Sequence, residues 1–101
     1  MRLIEKTDTF LSWIDGLRDQ RARARIAMRL DRLIDGNPGD IKLVGDGVSE
    51  LRIDYGPGYR VYFIERNDVL IILLCGGDKS TQDRDIRKAK TMAAALRKVR
   101  S

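Results

Sequence analysis

Histidine is absent from this chain and cysteine occurs once, at Cys75. Those two gaps exclude much familiar chemistry. Zinc sites built from His and Cys have no ligands, and neither Ser-His nor Cys-His nucleophile pairs can form. A single thiol also excludes an intrachain disulfide and fits a reducing cytosol. Long apolar runs are missing as well. The longest, Val69 to Cys75, has seven residues, against the roughly 20 that a membrane-spanning helix needs. The first residues, Met1-Arg-Leu-Ile-Glu-Lys6, mix charge with apolar side chains and lack the apolar core of a signal peptide. No metal, cofactor or membrane partner is expected. Any chemistry must be run by Arg, Lys, Asp, Glu, Tyr, Ser or Thr.

What is present is positive charge. The 101 residues carry 20 basic and 15 acidic side chains, a net charge of +5, and 14 of the 20 cations are arginine. The guanidinium fork matches phosphate oxygens where lysine offers only a point charge. A small Arg-rich basic protein points to nucleic acid before a metabolite, although a ribosomal-type protein has the same composition. The length fits one domain, residues 1–101, with room for one modest core.

Residues 2–6 read as a short strand. Asp8 or Thr9 is placed to cap a helix whose apolar face is Phe10, Trp13, Ile14 and Leu17. Gly16 ends it, and a second helix runs from Arg18 to Asp35. Gly36-Asn37-Pro38-Gly39 is a break, so the two helices pair as a hairpin. The period then changes. Val48 to Asp54 alternates, with Val48, Leu51 and Ile53 mostly on one side and Glu50, Arg52 and Asp54 on the other. After the turn Tyr55-Gly-Pro-Gly58 comes a strand from Tyr59 to Glu65, then a central strand from Val69 to Cys75, buried on both faces. Gly76-Gly77 closes it. Ser80 or Thr81 caps a last helix with Ile86, Ala89, Met92, Ala93 and Leu96 inward and a basic tail at 98–101 read as mobile. The order β-α-α-β-β-β-α gives a small α+β domain.

The charges fall in three places. Arg18, Arg21, Arg25, Arg29 and Arg32 are spaced 3, 4, 4 and 3 apart, which puts them within roughly 80° of helix circumference. That row is either a solvated face softened by Asp15, Asp19 and Asp35 or a stripe that tracks phosphates. The last helix carries six cations and no acid from Ile86 onward, in part an ordinary complement to its dipole. Arg60 shares a strand face with Tyr62, while Tyr59, Val61 and Phe63 take the other. Arg60 is either an edge cation paired with Glu50, Asp54 or Glu65, or a solvent-facing functional group. Cys75-Gly-Gly-Asp-Lys79-Ser-Thr-Gln82 offers backbone N–H groups that could hold an anion, without being a P-loop.

Taken in order, Gly47-Val-Ser-Glu-Leu-Arg52, Gly58-Tyr-Arg-Val-Tyr-Phe63 and Leu73-Leu-Cys-Gly-Gly-Asp-Lys-Ser-Thr-Gln82 with Asp85-Ile86 resemble the RelE/ParE toxin superfamily, in particular its HigB-like, phage-derived Gp49-like branch. The resemblance spans about residues 2 to 97. It implies an antiparallel-rich sheet with two N-terminal helices on one side and a C-terminal helix. It also implies the toxin of a type II toxin–antitoxin pair, held inactive by an antitoxin, expected to be a helix-turn-helix protein encoded next door. The implied activity is endonucleolytic cleavage of messenger RNA on the ribosome, without a metal, and so inhibition of translation.

By the same resemblance Arg60 would contact the scissile phosphate and Lys79 would protonate the leaving oxygen. Arg52 would favour deprotonation of the 2′-hydroxyl, a role that Glu50 or Asp54 could share. The row from Arg18 to Arg32 would dock on ribosomal RNA. Where nucleases of the RelE type carry a base-stacking tyrosine, this chain has Asp83, Asp85 and Ile86, leaving Tyr62 or Tyr55 as a substitute. The alternatives are a ParE-like inhibitor of DNA gyrase, which binds without catalysis, and a non-toxic basic nucleic-acid-binding module.

Overall fold

The computed structural model describes residues 2–100, the side chains of residues 99 and 100 excepted. Five strands form one sheet: β1 (Leu3–Lys6), β2 (Ile41–Gly45), β3 (Val48–Ile53), β4 (Tyr59–Arg66) and β5 (Leu70–Gly77). Three helices join them, α1 (Asp8–Gly16), α2 (Gln20–Ile34) and α3 (Gln82–Arg100), the last entered through a short 3₁₀ turn at Lys79–Thr81. The spatial order is β1-β5-β4-β3-β2. β1 runs parallel to β5 and every other pairing is antiparallel.

The α+β class and the helix–sheet arrangement are as expected, with one addition. The edge strand β2 pairs with β3 through the two-residue turn Asp46-Gly47. Both turn residues have positive φ, 56° and 77°, the backbone that matches the twist of a tight hairpin and that Asp-Gly tolerates.

Helices α1 and α2 start where a side chain satisfies free backbone N–H groups, and the 3₁₀ turn ahead of α3 is capped by Asp78, which accepts from Ser80 N, in place of the expected Ser80 or Thr81 cap. The α1 cap is Thr7, not Asp8 or Thr9. Its Oγ1 accepts from Phe10 N and donates to Leu74 O, fastening α1 to β5. Asp19 caps α2 by accepting from Arg21 N and Ala22 N. Arg18 therefore lies outside the helix, and helical spacing does not place it in the row. The expected basic tail continues as α3 to Arg100, and Ser101 lies outside the described residues.

The sheet is sandwiched between the two sets of helices. On one face Phe10, Ile26, Leu30 and Leu33 pack against Leu51, Ile53, Val61, Phe63, Ile71 and Leu73. On the other, Ala89 and Ala93 pack against Val48, Tyr62, Ile64, Ile72, Leu74 and Cys75. From Leu70 to Leu74 β5 alternates between the two cores, which explains its apolar run, and a bulge opposite Tyr62 and Phe63 puts Cys75 on the same side as Leu74. Val48 belongs to the α3 face, opposite Leu51 and Ile53, because strand side chains alternate strictly with position.

The Gly76-Gly77 pair has a packing cause. A Cβ at Gly76 would overlap the Trp13 ring, and one at Gly77 would overlap the Asp85 carboxylate. Asp85 is buried and accepts from Thr81 Oγ1 at 2.5 Å. The two glycines let α1 and α3 approach β5 from opposite sides, in place of the anion cradle that the motif offered. Cys75 is buried below them, and burial pushes its thiol up to about 11. It is a core residue with no reactive thiolate.

Candidate functional site

Strand register assembles the site. Arg52 on β3 stands directly opposite Arg60 on β4, and Glu50 stands opposite Tyr62. All four side chains share the α3 face, Tyr62 and Glu50 buried and Arg52 and Arg60 towards the sheet's end. From the β5–α3 junction come Lys79 and Gln82. The turn between β3 and β4 closes onto this junction, with Gly58, at φ +81°, beside the Lys79 side chain.

Glu50 organises the group. It has no exposed surface, and each carboxylate oxygen takes two donors. Oε1 accepts from Arg52 Nε at 2.9 Å and Arg60 NH1 at 3.3 Å. Oε2 accepts from Tyr62 OH and Gln82 Nε2, both at 2.9 Å. A carboxylate has about four lone-pair sites, so this one is saturated. Burial alone would raise its pKa, but the bonds from Arg52, Gln82 and Tyr62 and the Arg60 charge hold it below the ordinary carboxylate value. Glu50 is thus a fixed anion that orients two guanidinium groups. With no lone pair left over, it does not serve as a base.

Arg52, Arg60 and Lys79 line one open cleft of about 330 Å³, with Asp40, Ile53, Asp54, Gly58 and Tyr59. The three are not equally exposed. Lys79 projects into solvent, the Arg52 side chain is 34% exposed and that of Arg60 only 12%. Arg60 therefore does not face solvent. It sits at the base of the cleft, paired with Glu50.

Tyr62 cannot stack on a base. It is fully buried under α3, and burial together with the Glu50 bond pushes its phenol far above the usual range. Tyr55 is half-buried; its hydroxyl donates to Asp19 Oδ2 at 3.1 Å.

The arginine row divides. Arg21, Arg25 and Arg32 on α2, and Arg18 ahead of it, are exposed. Arg29 turns inward and donates to the carbonyls of Arg52 at 2.5 Å, Pro38 at 2.9 Å and Asp40 at 3.4 Å. Burial and the neighbouring Arg32 charge lower its pKa. It fastens α2 and the loop before β2 to the strand that carries Arg52, so it belongs to the scaffold and not to a solvent-facing stripe. Two α3 cations are similarly occupied at the hairpin: Arg97 donates to Asp46 O and Lys90 lies against Gly45.

Residues 12–99 match the family described as phage-derived protein Gp49-like. The chain belongs to that family. It is 59% identical over 93 residues to an uncharacterized protein of Haemophilus influenzae, covering 92% of this chain and 94% of that one. Its fold is similar to that of the E. coli toxin RelE, solved as a mutant in the free state. The TM-score is 0.71 at 13% identity, with 94% of this chain and 96% of that chain covered. At that identity the likeness shows a shared fold. The Gp49-like chain and RelE thus have one architecture built from largely different residues, and the cleft must be read from its own side chains.

Proposed function

We propose that this Gp49-like protein is the toxin of a type II toxin–antitoxin pair and cuts messenger RNA on the ribosome. The observation that carries the reading is the cleft lined by Arg52, Arg60 and Lys79, with both guanidinium groups held by one buried carboxylate.

Such a site suits attack by the ribose 2′-oxygen on its own phosphorus, which needs neither metal nor histidine. The P–O5′ bond breaks, leaving a 2′,3′-cyclic phosphate and a 5′-hydroxyl. Because the nucleophile is intramolecular, holding the sugar in line supplies much of the acceleration. Arg60, fixed on Glu50, presents its remaining donors to the non-bridging oxygens as charge builds there. A preorganised donor of this kind is worth roughly 3–4 kcal/mol. Exposed Lys79 delivers the proton to the departing 5′-oxygen. Arg52, beside Arg60 on the same Glu50 oxygen, lowers the cost of an alkoxide at the 2′-position. With Glu50 saturated, Asp54 on the cleft wall takes the 2′-hydroxyl proton. An exposed carboxylate is a weak base, which fits an enzyme that relies on the ribosome to position its substrate. The exposed arginines of α2 contact RNA phosphates, ribosomal and messenger.

Pulse labelling after expression without antitoxin tests this reading. Protein synthesis should fall before DNA synthesis. Earlier arrest of DNA synthesis, with gyrase–DNA adducts accumulating, would establish the gyrase-inhibitor alternative instead.

A further inference from the structure

A second hollow adjoins the cleft. It measures about 240 Å³ and is lined by Arg25, Met28, Arg29, Arg32, Ile53 and Asp54. Ile53 and Asp54 line both spaces, so the hollow and the cleft lie side by side. The walls combine two kinds of chemistry. Met28 is 58% exposed and offers apolar contact beside the edge of Ile53, while the arginines offer positive charge.

Arg25 is more than a charge. Its guanidinium carbon lies over the Tyr55 ring, 5.0 Å from the centroid. That ring is held by the hydroxyl bond to Asp19, and Asp19 is itself fixed by capping α2. A solvated arginine normally samples many rotamers, and this one has a rigid aromatic bed beneath it. A planar cation stacked on a ring presents a flat platform. Flat platforms over an apolar floor, next to phosphate-binding donors, bind nucleobases.

We infer that the hollow is a nucleotide subsite, in which the base next to the cut position stacks on Arg25 above Tyr55 and its phosphate lies against Arg32. The inference rests on reading the Arg52–Arg60–Lys79 cleft as an RNA site. The ligand class is single-stranded RNA, since a paired base has no free face to offer.

The test is a pair of affinities measured by fluorescence anisotropy. One probe is a labelled tetranucleotide carrying 2′-O-methyl groups, which cannot be cut. The other is the same sugar–phosphate chain without bases. Wild type should bind the base-bearing probe about 10-fold more tightly than the abasic one. Arg25→Lys keeps the charge and removes the plane. It should weaken the base-bearing probe about 10-fold and leave the abasic probe unchanged, bringing the ratio near one. Tyr55→Leu, its fold checked by circular dichroism, should lower the same ratio. An Arg25→Lys protein with the wild-type ratio overturns the subsite, as does one weakened equally on both probes, because Arg25 would then act only as a point charge. Failure of wild type to bind either probe would overturn the RNA reading of the cleft itself, a result distinct from the other two.

Discussion

Glu50 Oε1 lies 3.3 Å from Arg60 NH1 across the β3–β4 ladder, and the carboxylate has no exposed surface. This pairing makes Arg60 both a candidate transition-state contact and a partner in a buried charge network. Removing Glu50 leaves Arg60 without a counter-ion in a region of low polarisability, which costs roughly 3–5 kcal/mol; removing Arg60 leaves Glu50 paired with Arg52 alone. Glu50→Gln should therefore lower the melting temperature sharply. Arg60→Lys, which keeps a cation beside Glu50, should fold better than Arg60→Ala.

The same network sets an acid limit. Because Glu50 is held below the ordinary carboxyl value of 4.5 in the fold, its contribution to stability is complete above that pH. It disappears as pH falls through the lower folded value. Thermal melts from pH 7 down to pH 3 should show wild type losing stability in the acid range. The Glu50→Gln protein should start lower and show a shallower fall, since one of the protonating carboxylates is gone.

The arginines of α2 should separate into two behaviours. Replacing exposed Arg21 and Arg32 by Gln should leave the melt within about 0.5 kcal/mol. It should weaken ribosome co-sedimentation and flatten its salt dependence by a little under one logarithmic unit for each phosphate no longer neutralised. Arg29→Gln should do the opposite. It removes the Arg29 donor from three carbonyls, of which Asp40 O keeps the Arg52 N–H, and should cost roughly 1–3 kcal/mol, with little change in the salt slope.

Gly76→Ala tests the packing account of the double glycine. The new methyl group must displace the Trp13 ring, and overpacking of this kind costs roughly 1–3 kcal/mol. A denaturant melt and Trp13 fluorescence would report it together. An unchanged melt would mean that α1 rides on β5 more loosely than the structure shows.

Much of this fold is legible in the sequence because caps, breakers and alternation are local signals. Phe10, Trp13 and Ile14 announce α1, and the run at Val69–Cys75 announces a doubly buried strand. Strand β2 is less visible: four of its five residues are exposed, so no inward face marks it. The Asp46-Gly47 turn is the one local signal that points to it. At the site, the residue types Arg52, Arg60 and Lys79 are legible, and the structure gathers them into one cleft. The role of Glu50 is not, because it depends on register between strands, which no single strand's pattern encodes. Tyr62 fails as a stacking residue for a related reason. Alternation gives its face, but not that Ala89 and Ala93 of α3 close over that face.

Lys79 offers the most direct test of the proposed chemistry. It is exposed and outside the Glu50 network, so Lys79→Gln should fold and co-sediment with ribosomes as wild type does. Primer extension on a message under translation would then compare the two proteins. Wild type should produce new 5′ ends within the reading frame, and Lys79→Gln should reduce them by roughly 10²–10⁴-fold, the range for removal of a general acid. Full cleavage by Lys79→Gln, or an intact message with wild type, would contradict the account.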